Sequence, residues 1–507
     1  MGLLFIFVIF ATFFSISYVP SPLYSANQNS YFLHGLANAN TGQLLQDWMS
    51  NSVDPFPLFS YIVSFISVVF TENVFYFVYA TLLGIYIFSI LGIVSKIWGI
   101  TKYSVEYIFF AIAITLLSSD ILSQVSATYL GTDVRDLFQS GVAGQYLLGS
   151  VLQPSLFGVF LMLSVYLYMT SRSSLAIICL VIATNMHPTY LLTVIALTLT
   201  YMAFSFIDER KHIKSILLGI FSLFLLLPIV CYSYFTFSSA ETELIANSHD
   251  ILINQRIPHH AKITHWFSMG VLFKMSLVFI ALWLVRRHRL IYLIILIPLT
   301  LSVTLTLIQF FSENTQLALL FPWRISVFLV PLSSAIIVGK CSNYIFSHHQ
   351  KTFSHYKNHT RVIAAIVLVC LLSSGISGID REVKKREQSK YNAVAAFVNT
   401  SKKTGDNYLI PTSLEGFRLR AATAVFIDSK THPYKPAELI EWNRRLQLAD
   451  EFYAELKFTV PCRKLRQLKA DFSISHLVAA TKLILPACDG SLKNVYQDKF
   501  YGVYTLD

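Results

Sequence analysis

The sequence predicts an α-helical polytopic membrane protein of about eleven transmembrane helices, each near 20 residues, followed by a small extracytoplasmic α/β domain at the C-terminus. Three observations carry that prediction. The chain of 507 residues is 54% hydrophobic and 13% charged, whereas soluble domains run near 25% charged. Its Lys and Arg gather in short segments between long apolar runs, as charges that set membrane topology do. After Gly375 the composition becomes densely charged. The formal charge of +11 therefore belongs to topology and to the tail, and no nucleic-acid partner is expected.

The apolar runs place spans near 3–19, 74–95, 104–118, 151–170, 174–186, 188–206, 214–236, 267–285, 290–311, 321–340 and 362–379. The first lacks a basic segment before it and a small-x-small cleavage site before Pro20, so it reads as an uncleaved span. With the N-terminus cytoplasmic, Lys96 with Lys102, Arg172, the run from Arg210 to Lys214, the run from Arg286 to Arg289 and the loop 340–361 all fall inside. That order holds only if the run from Phe56 to Phe70 lies along the interface or re-enters. Asn185-Met186-His187-Pro188 marks a helix break, because proline cannot donate the interior hydrogen bond. Broken backbone at membrane depth survives only where protein or a watery cavity satisfies it.

The chain thus divides into a transmembrane domain, 1–380, with outer loops 20–73, 119–150 and 237–266, and an extracytoplasmic domain, 381–507. In the latter, helices are expected from Val383 to Val398 and from Pro436 to Leu456. Strands are expected at Tyr408 to Pro411, Thr423 to Asp428, His476 to Thr481 and Val495 to Leu506. Cys179, Cys231, Cys341 and Cys370 read as small apolar core residues. Cys462 and Cys488 are the two cysteines of the exported domain, where a disulfide is chemically permitted.

The first outer loop is aromatic and cation-free: no Lys or Arg occurs before Lys96, and Asp47 and Asp54 are its two acids ahead of Glu72. Either carboxylate could serve as a general base, Asp54 first because prolines stiffen the turn that carries it. Equally, Asp47 could cap a helix and Asp54 could open a turn. In the second outer loop Asp133 and Asp136 flank Arg135, an arrangement suited to a phosphate, or to a divalent cation held by the acids, or to a local ion pair. His187 stands at the helix break, either lining a cavity or tying off freed backbone. Arg324, in Phe321-Pro322-Trp323-Arg324, either snorkels or grips a phosphate head group. His259, His260 and His265, and likewise His348, His349, His355 and His359, lack the spacing of a zinc site and read as solvated loop; no metal ligand is assigned.

Two stretches carry a family resemblance. The first runs through Asn27-Gln28-Asn29-Ser30-Tyr31-Phe32-Leu33-His34-Gly35-Leu36, then Asp47-Trp48, then Asp54-Pro55-Phe56-Pro57-Leu58-Phe59. The second runs from Gln153-Pro154-Ser155 through Tyr166-Leu167-Tyr168 and Arg172 to Asn185-Met186-His187-Pro188-Thr189-Tyr190-Leu191. Together they resemble, over residues 1–340, a diverged member of the type C multispanning glycosyltransferases of the protein-mannosyltransferase and aminoarabinose-transferase kind. The resemblance implies an enzyme of the plasma (inner) membrane with its exported domain in the periplasm. It would move a sugar from a polyprenyl-phosphate donor to a glycan or lipid acceptor at the outer face of the cell envelope, amid membrane lipids. It further implies Asp54 or Asp47 as base and Arg135, Asp133, Asp136, His187 and Arg324 around the phosphate. In much of that superfamily an acidic pair near the end of the first span supplies the base. Here Asn27-Gln28-Asn29 stands there and cannot accept a proton at physiological pH, so either the base has moved or the chain is a non-catalytic relative or a transporter that binds a lipid-linked head group.

Overall fold

The computed structural model describes residues 2–102, 104–238, 241–348, 357–483, 488 and 492–506. Among them, six helices are long and apolar enough to cross a membrane: Asn73–Trp98, Pro188–Ile207, His212–Phe237, Arg289–Ser312, Thr315–His348 and Val362–Glu387. A seventh crossing results if Val105–Leu117 and Asp120–Leu130, bent by 57°, count as one. This makes the chain a helical, membrane-embedded protein and corrects the expected count of eleven. The difference lies in the apolar helices Leu4–Tyr18, Pro154–Met169, Ser173–Met186 and Met269–Leu284, which have 10–17 residues and had been counted as full crossings. At 1.5 Å per residue they reach about 15–25 Å, short of a hydrocarbon core of about 30 Å.

Two compact units emerge, each discontinuous in sequence. The first joins Met1–Pro20, Phe75–Cys231 and Leu252–Arg381; the second joins Ser21–Val74, Tyr232–Ile251 and Glu382–Asp507. Most of outer loop 20–73 and the start of 237–266, grouped by sequence with the transmembrane domain, thus belong to the unit of the C-terminal domain.

In the first unit, Met269–Leu284 packs on Ser326–His348, and Leu191–Ile207 on Arg289–Ser312. Only 17% of the Val362–Glu387 window and 28% of the His212–Phe237 window are covered by protein, against 78% of Thr315–His348. The first two therefore present apolar flanks that suit lipid. The break at Asn185-Met186-His187-Pro188 is found where expected: Ser173–Met186 stops, His187 turns extended (φ −145°, ψ 99°), and a 3₁₀ turn at Pro188–Tyr190 leads into Leu191–Ile207. Cys179 is buried, whereas Cys341 and Cys370 are exposed on helix surfaces and so depart from the expected core role.

The second unit is built on a five-stranded sheet: β1 (Asn407–Leu409), β2 (Ala424–Val425), β3 (His476–Ala480), β4 (Leu492–Gln497) and β5 (Tyr501–Leu506), in the order β2-β1-β3-β5-β4. The first three strands in that order are parallel, and β5 and β4 add antiparallel. Val394 and Val398 of the Asn392–Ser401 helix close over Tyr408, Ile410, Val425, Val478 and Val503 as its apolar core. The expected helix Pro436–Leu456 forms; a basic amphipathic helix at Cys462–Phe472 had not been anticipated. Cys462 and Cys488 form the expected disulfide, with Cα atoms 5.6 Å apart. The segment 21–74 is stitched to this sheet by Gln43 N donating to Ala422 O at 2.9 Å and Gly405 N to Gln46 Oε1 at 2.9 Å. Gly42, at φ +53°, makes that approach possible, because a Cβ there would strike Ala422. The run from Phe56 to Phe70 becomes a 13-residue helix, Pro57–Val69, too short to span.

Candidate functional site

In the first unit, the sequence-flagged cations and acids collect around one hairpin. Gly141 N donates to Gln145 O at 2.9 Å, Gln145 N donates to Val142 O at 3.2 Å, and Ser140 bridges Tyr146. Ala143 (φ 56°) and Gly144 (φ 61°) both sit in the left-handed region at the tip, the pattern of a type I′ turn. The hairpin presses so closely on the start of Ser326–His348 that a Cβ at Gly141 would collide with Ser326 Oγ and Val327 N. Val142 N donates to that same Ser326 Oγ at 2.8 Å.

Three basic side chains grip the tip. Lys274 Nζ donates to Ser140 Oγ at 2.8 Å and to Gly141 O at 2.9 Å. His260 Nδ1 donates to Ala143 O at 2.6 Å. A carbonyl can only accept, so Nδ1 carries the proton and Nε2 keeps a lone pair while the ring is neutral. Burial first, then the neighbouring His259, Arg324 and Arg256, push the His260 pKa down to about 4 against the bond to Ala143, so the ring is neutral at pH 7. The sequence had placed His260 in a solvated loop; its fold partner, a backbone carbonyl 117 positions away, is invisible to local pattern.

The third grip is Arg324. Nη1 donates to Gln145 Oε1 at 2.8 Å, the guanidinium lies 4.8 Å over the Tyr190 ring, and Nη2 is 3.5 Å from the Tyr190 hydroxyl. That hydroxyl donates to Ser155 O at 2.6 Å, and His187 stands against Tyr190 with ring centroids 5.6 Å apart while its Nδ1 pairs with Thr189 Oγ1 at 2.8 Å. Arg324 is 8% exposed, its Nε has no hydrogen-bond partner, and no carboxylate pairs with it among the described residues. A buried guanidinium whose bonds all go to neutral groups is an uncompensated charge, and such charges are costly unless an anion joins them.

At the base of the hairpin, Arg135 pairs with Asp133 at 3.4 Å and lies 5.2 Å over the Tyr18 ring, with its Nε unpartnered among the described residues. Asp133 also accepts from Ser123 Oγ at 2.7 Å and from Arg135 N at 2.9 Å. Asp136 accepts from Gln139 Nε2 at 2.8 Å, and Gln139 Oε1 receives the Tyr18 hydroxyl. The local ion pair therefore forms. No group of three His, Cys, Asp or Glu side chains that could hold a divalent cation occurs among the described residues. Gln139, Gln145, Tyr190, His260 and Lys274 were missed by sequence reading; a polar residue on an otherwise apolar segment, as Lys274 is, was the available signal.

The two candidate bases belong to the second unit. Asp47 is wholly buried: Oδ1 accepts from Met49 N at 2.7 Å, and Oδ2 accepts from Arg418 Nε and from Val425 N, both at 2.8 Å. It caps a turn, and both oxygens are committed. Asp54 is partly exposed; Oδ1 accepts from Phe56 N at 2.8 Å and opens the turn before Pro57, while Oδ2 meets no hydrogen-bond partner among the described residues. Of the other histidines flagged by sequence, His349 and His355 lie outside the described residues.

Residues 389–449 match a family model described as a domain of unknown function (DUF6798). The match falls in the second unit and takes in β1, β2, Arg418 and Asp428. No curated protein matches the chain.

Proposed function

We propose that this protein binds the phosphate of a lipid-linked sugar in the membrane and transfers the sugar to a glycan or lipid acceptor, in the manner of the type C multispanning glycosyltransferases. The observation that carries the reading is Arg324, buried, hydrogen-bonded to neutral groups and without a carboxylate partner among the described residues. A phosphate supplies the missing anion and accepts the planar donors that an arginine presents. As the bond from the sugar carbon to the phosphate oxygen breaks, the oxygen keeps the electron pair, and a preorganised guanidinium stabilises the charge that develops there. The acceptor hydroxyl forms the new bond to carbon and loses its proton to a base, for which Asp54 is the candidate, because one of its oxygens is uncommitted among the described residues whereas both of Asp47 are engaged. The disulfide in the second unit supports an oxidising, extracytoplasmic setting for that domain. A second reading, binding or transport without transfer, is favoured by Asn27-Gln28-Asn29, of which Gln28 and Asn29 are buried amides.

The test is transfer from a radiolabelled polyprenyl-phosphate sugar pool to membrane acceptors. Wild type moves label; Asp54→Asn, in which the side-chain oxygen can still accept from Phe56 N, loses about 10²- to 10⁴-fold in rate. Binding of donor without transfer by wild type selects the second reading. Undiminished transfer by Asp54→Asn removes Asp54 as base.

A further inference from the structure

We propose that the helix Asp120–Leu130 lies in the membrane interface with Ile121, Val125 and Tyr129 facing lipid, and that this seating holds the segment carrying Arg135 in place. The inference does not rest on the head-group reading. At 11 residues the helix is about 16 Å long and cannot cross a bilayer. It bends by 57° from Val105–Leu117, which turns its axis away from that of the preceding helix.

Its polarity is inverted relative to a helix in water. Ser123 and Ser126 are buried, whereas Ile121, Val125 and Tyr129, four residues apart and hence on one face, are exposed by 41%, 45% and 81%. Water would leave that stripe unfavourably hydrated; the boundary between head groups and acyl chains is where a short amphipathic helix buries one. The stripe is not isolated. Val105–Leu117, to which the helix packs, exposes Ile108 and Phe109, so the apolar surface continues from the neighbouring apolar helix onto this one. The aromatic Tyr129 suits the head-group level. Asp120, flanking the stripe, is tied to Arg381 at 2.7 Å.

The buried face does the positioning. Ser123 Oγ donates to Asp133 Oδ2 at 2.7 Å, and Val134 N donates to Ser126 Oγ at 3.1 Å. Asp133 in turn takes Arg135 N and the Arg135 guanidinium. Lipid on one face of the helix thus fixes the serines on the other, and through them the arginine.

The full-length chain with p-benzoylphenylalanine introduced at Val125, or at Ala127 on the opposite exposed flank, is irradiated in phosphatidylcholine nanodiscs and digested for mass spectrometry. An interfacial helix yields about fivefold more phospholipid adduct from position 125 than from 127. Equal lipid adducts from both positions mean full immersion, protein–protein adducts from position 125 mean a second copy covers the stripe, and no adduct means solvent; each overturns the proposal. Should the Val125 variant fail to elute as folded protein, the probe at Tyr129, an aromatic for an aromatic, takes its place with the same outcomes.

Discussion

Asp47 Oδ2 and Arg418 Nε meet at 2.8 Å, 371 positions apart, with both side chains almost completely removed from solvent. Asp428 takes Nη1 of the same guanidinium, so one arginine ties the segment 21–74 to the loop after β2. The ion triad stands where the sequence suggested a catalytic aspartate, and its neutral backbone partners Met49 N and Val425 N complete a site with no room in its bonding for a substrate proton.

Asp47→Asn is therefore expected to act on stability. It removes one of two carboxylates from a buried guanidinium, a change of about 3–5 kcal/mol where the remaining charge stays buried. Thermal unfolding of the detergent-purified chain should show the loss for Asp47→Asn, while Asp54→Asn unfolds like wild type. Equal midpoints for the two variants would show that the triad contributes nothing.

Arg324→Met should do the reverse. Replacing an uncompensated buried cation by an apolar chain of similar length relieves its desolvation, and such replacements are neutral or stabilising by about 1–4 kcal/mol. The same variant should lose about tenfold or more in affinity for a polyprenyl-phosphate ligand, since a bond to a charged group contributes about 1.5–3 kcal/mol. A midpoint that rises or holds together with weaker binding marks Arg324 as a ligand residue; a midpoint that falls with binding unchanged marks it as structural.

His260 should make the fold acid-sensitive. Its folded pKa, about 4, is depressed below the ordinary value of about 6.5, so the unfolded chain takes up a proton before the folded one does. The contribution is fully present above pH about 6.5 and is lost as pH falls towards 4, by up to roughly 3 kcal/mol. Unfolding measured between pH 7 and pH 4.5 should fall less for His260→Gln than for wild type. Parallel pH profiles would refute the assignment.

The Cys462–Cys488 bridge closes a sequence separation of 26 residues, for which loop-closure entropy predicts about 3.5 kcal/mol. Reduction, or Cys488→Ser, should lower the unfolding midpoint by the corresponding amount, and non-reducing peptide mapping should recover the linked pair from native protein. Recovery of both as free thiols would contradict the bond.

Local pattern alone determined much of this protein. Apolar run length marks the long membrane helices, since burying a 20-residue apolar stretch is a property of the stretch itself. Pro188 fixes the break beside His187, because a missing amide proton is a local fact. The composition change after Gly375 announces the α/β domain, and two lone cysteines there announce their bridge. The count of crossings was not legible, because hydropathy reports that a segment is apolar but not whether 14 residues pack inside the bundle or cross it.

Tertiary structure alone decided which charges work together. Asp47 and Asp54 are equivalent in sequence, short acids in one cation-free loop; what separates them is Arg418, brought to Asp47 by the sheet. Arg324 and Gln145 are 179 positions apart, as His260 and Ala143 are 117, and each pair is made where the hairpin tip packs against distant segments, which no single-segment pattern encodes. Whether a charge is compensated depends on what lies within a few ångströms of it in space, and that is set by the fold and not by its neighbours in the chain.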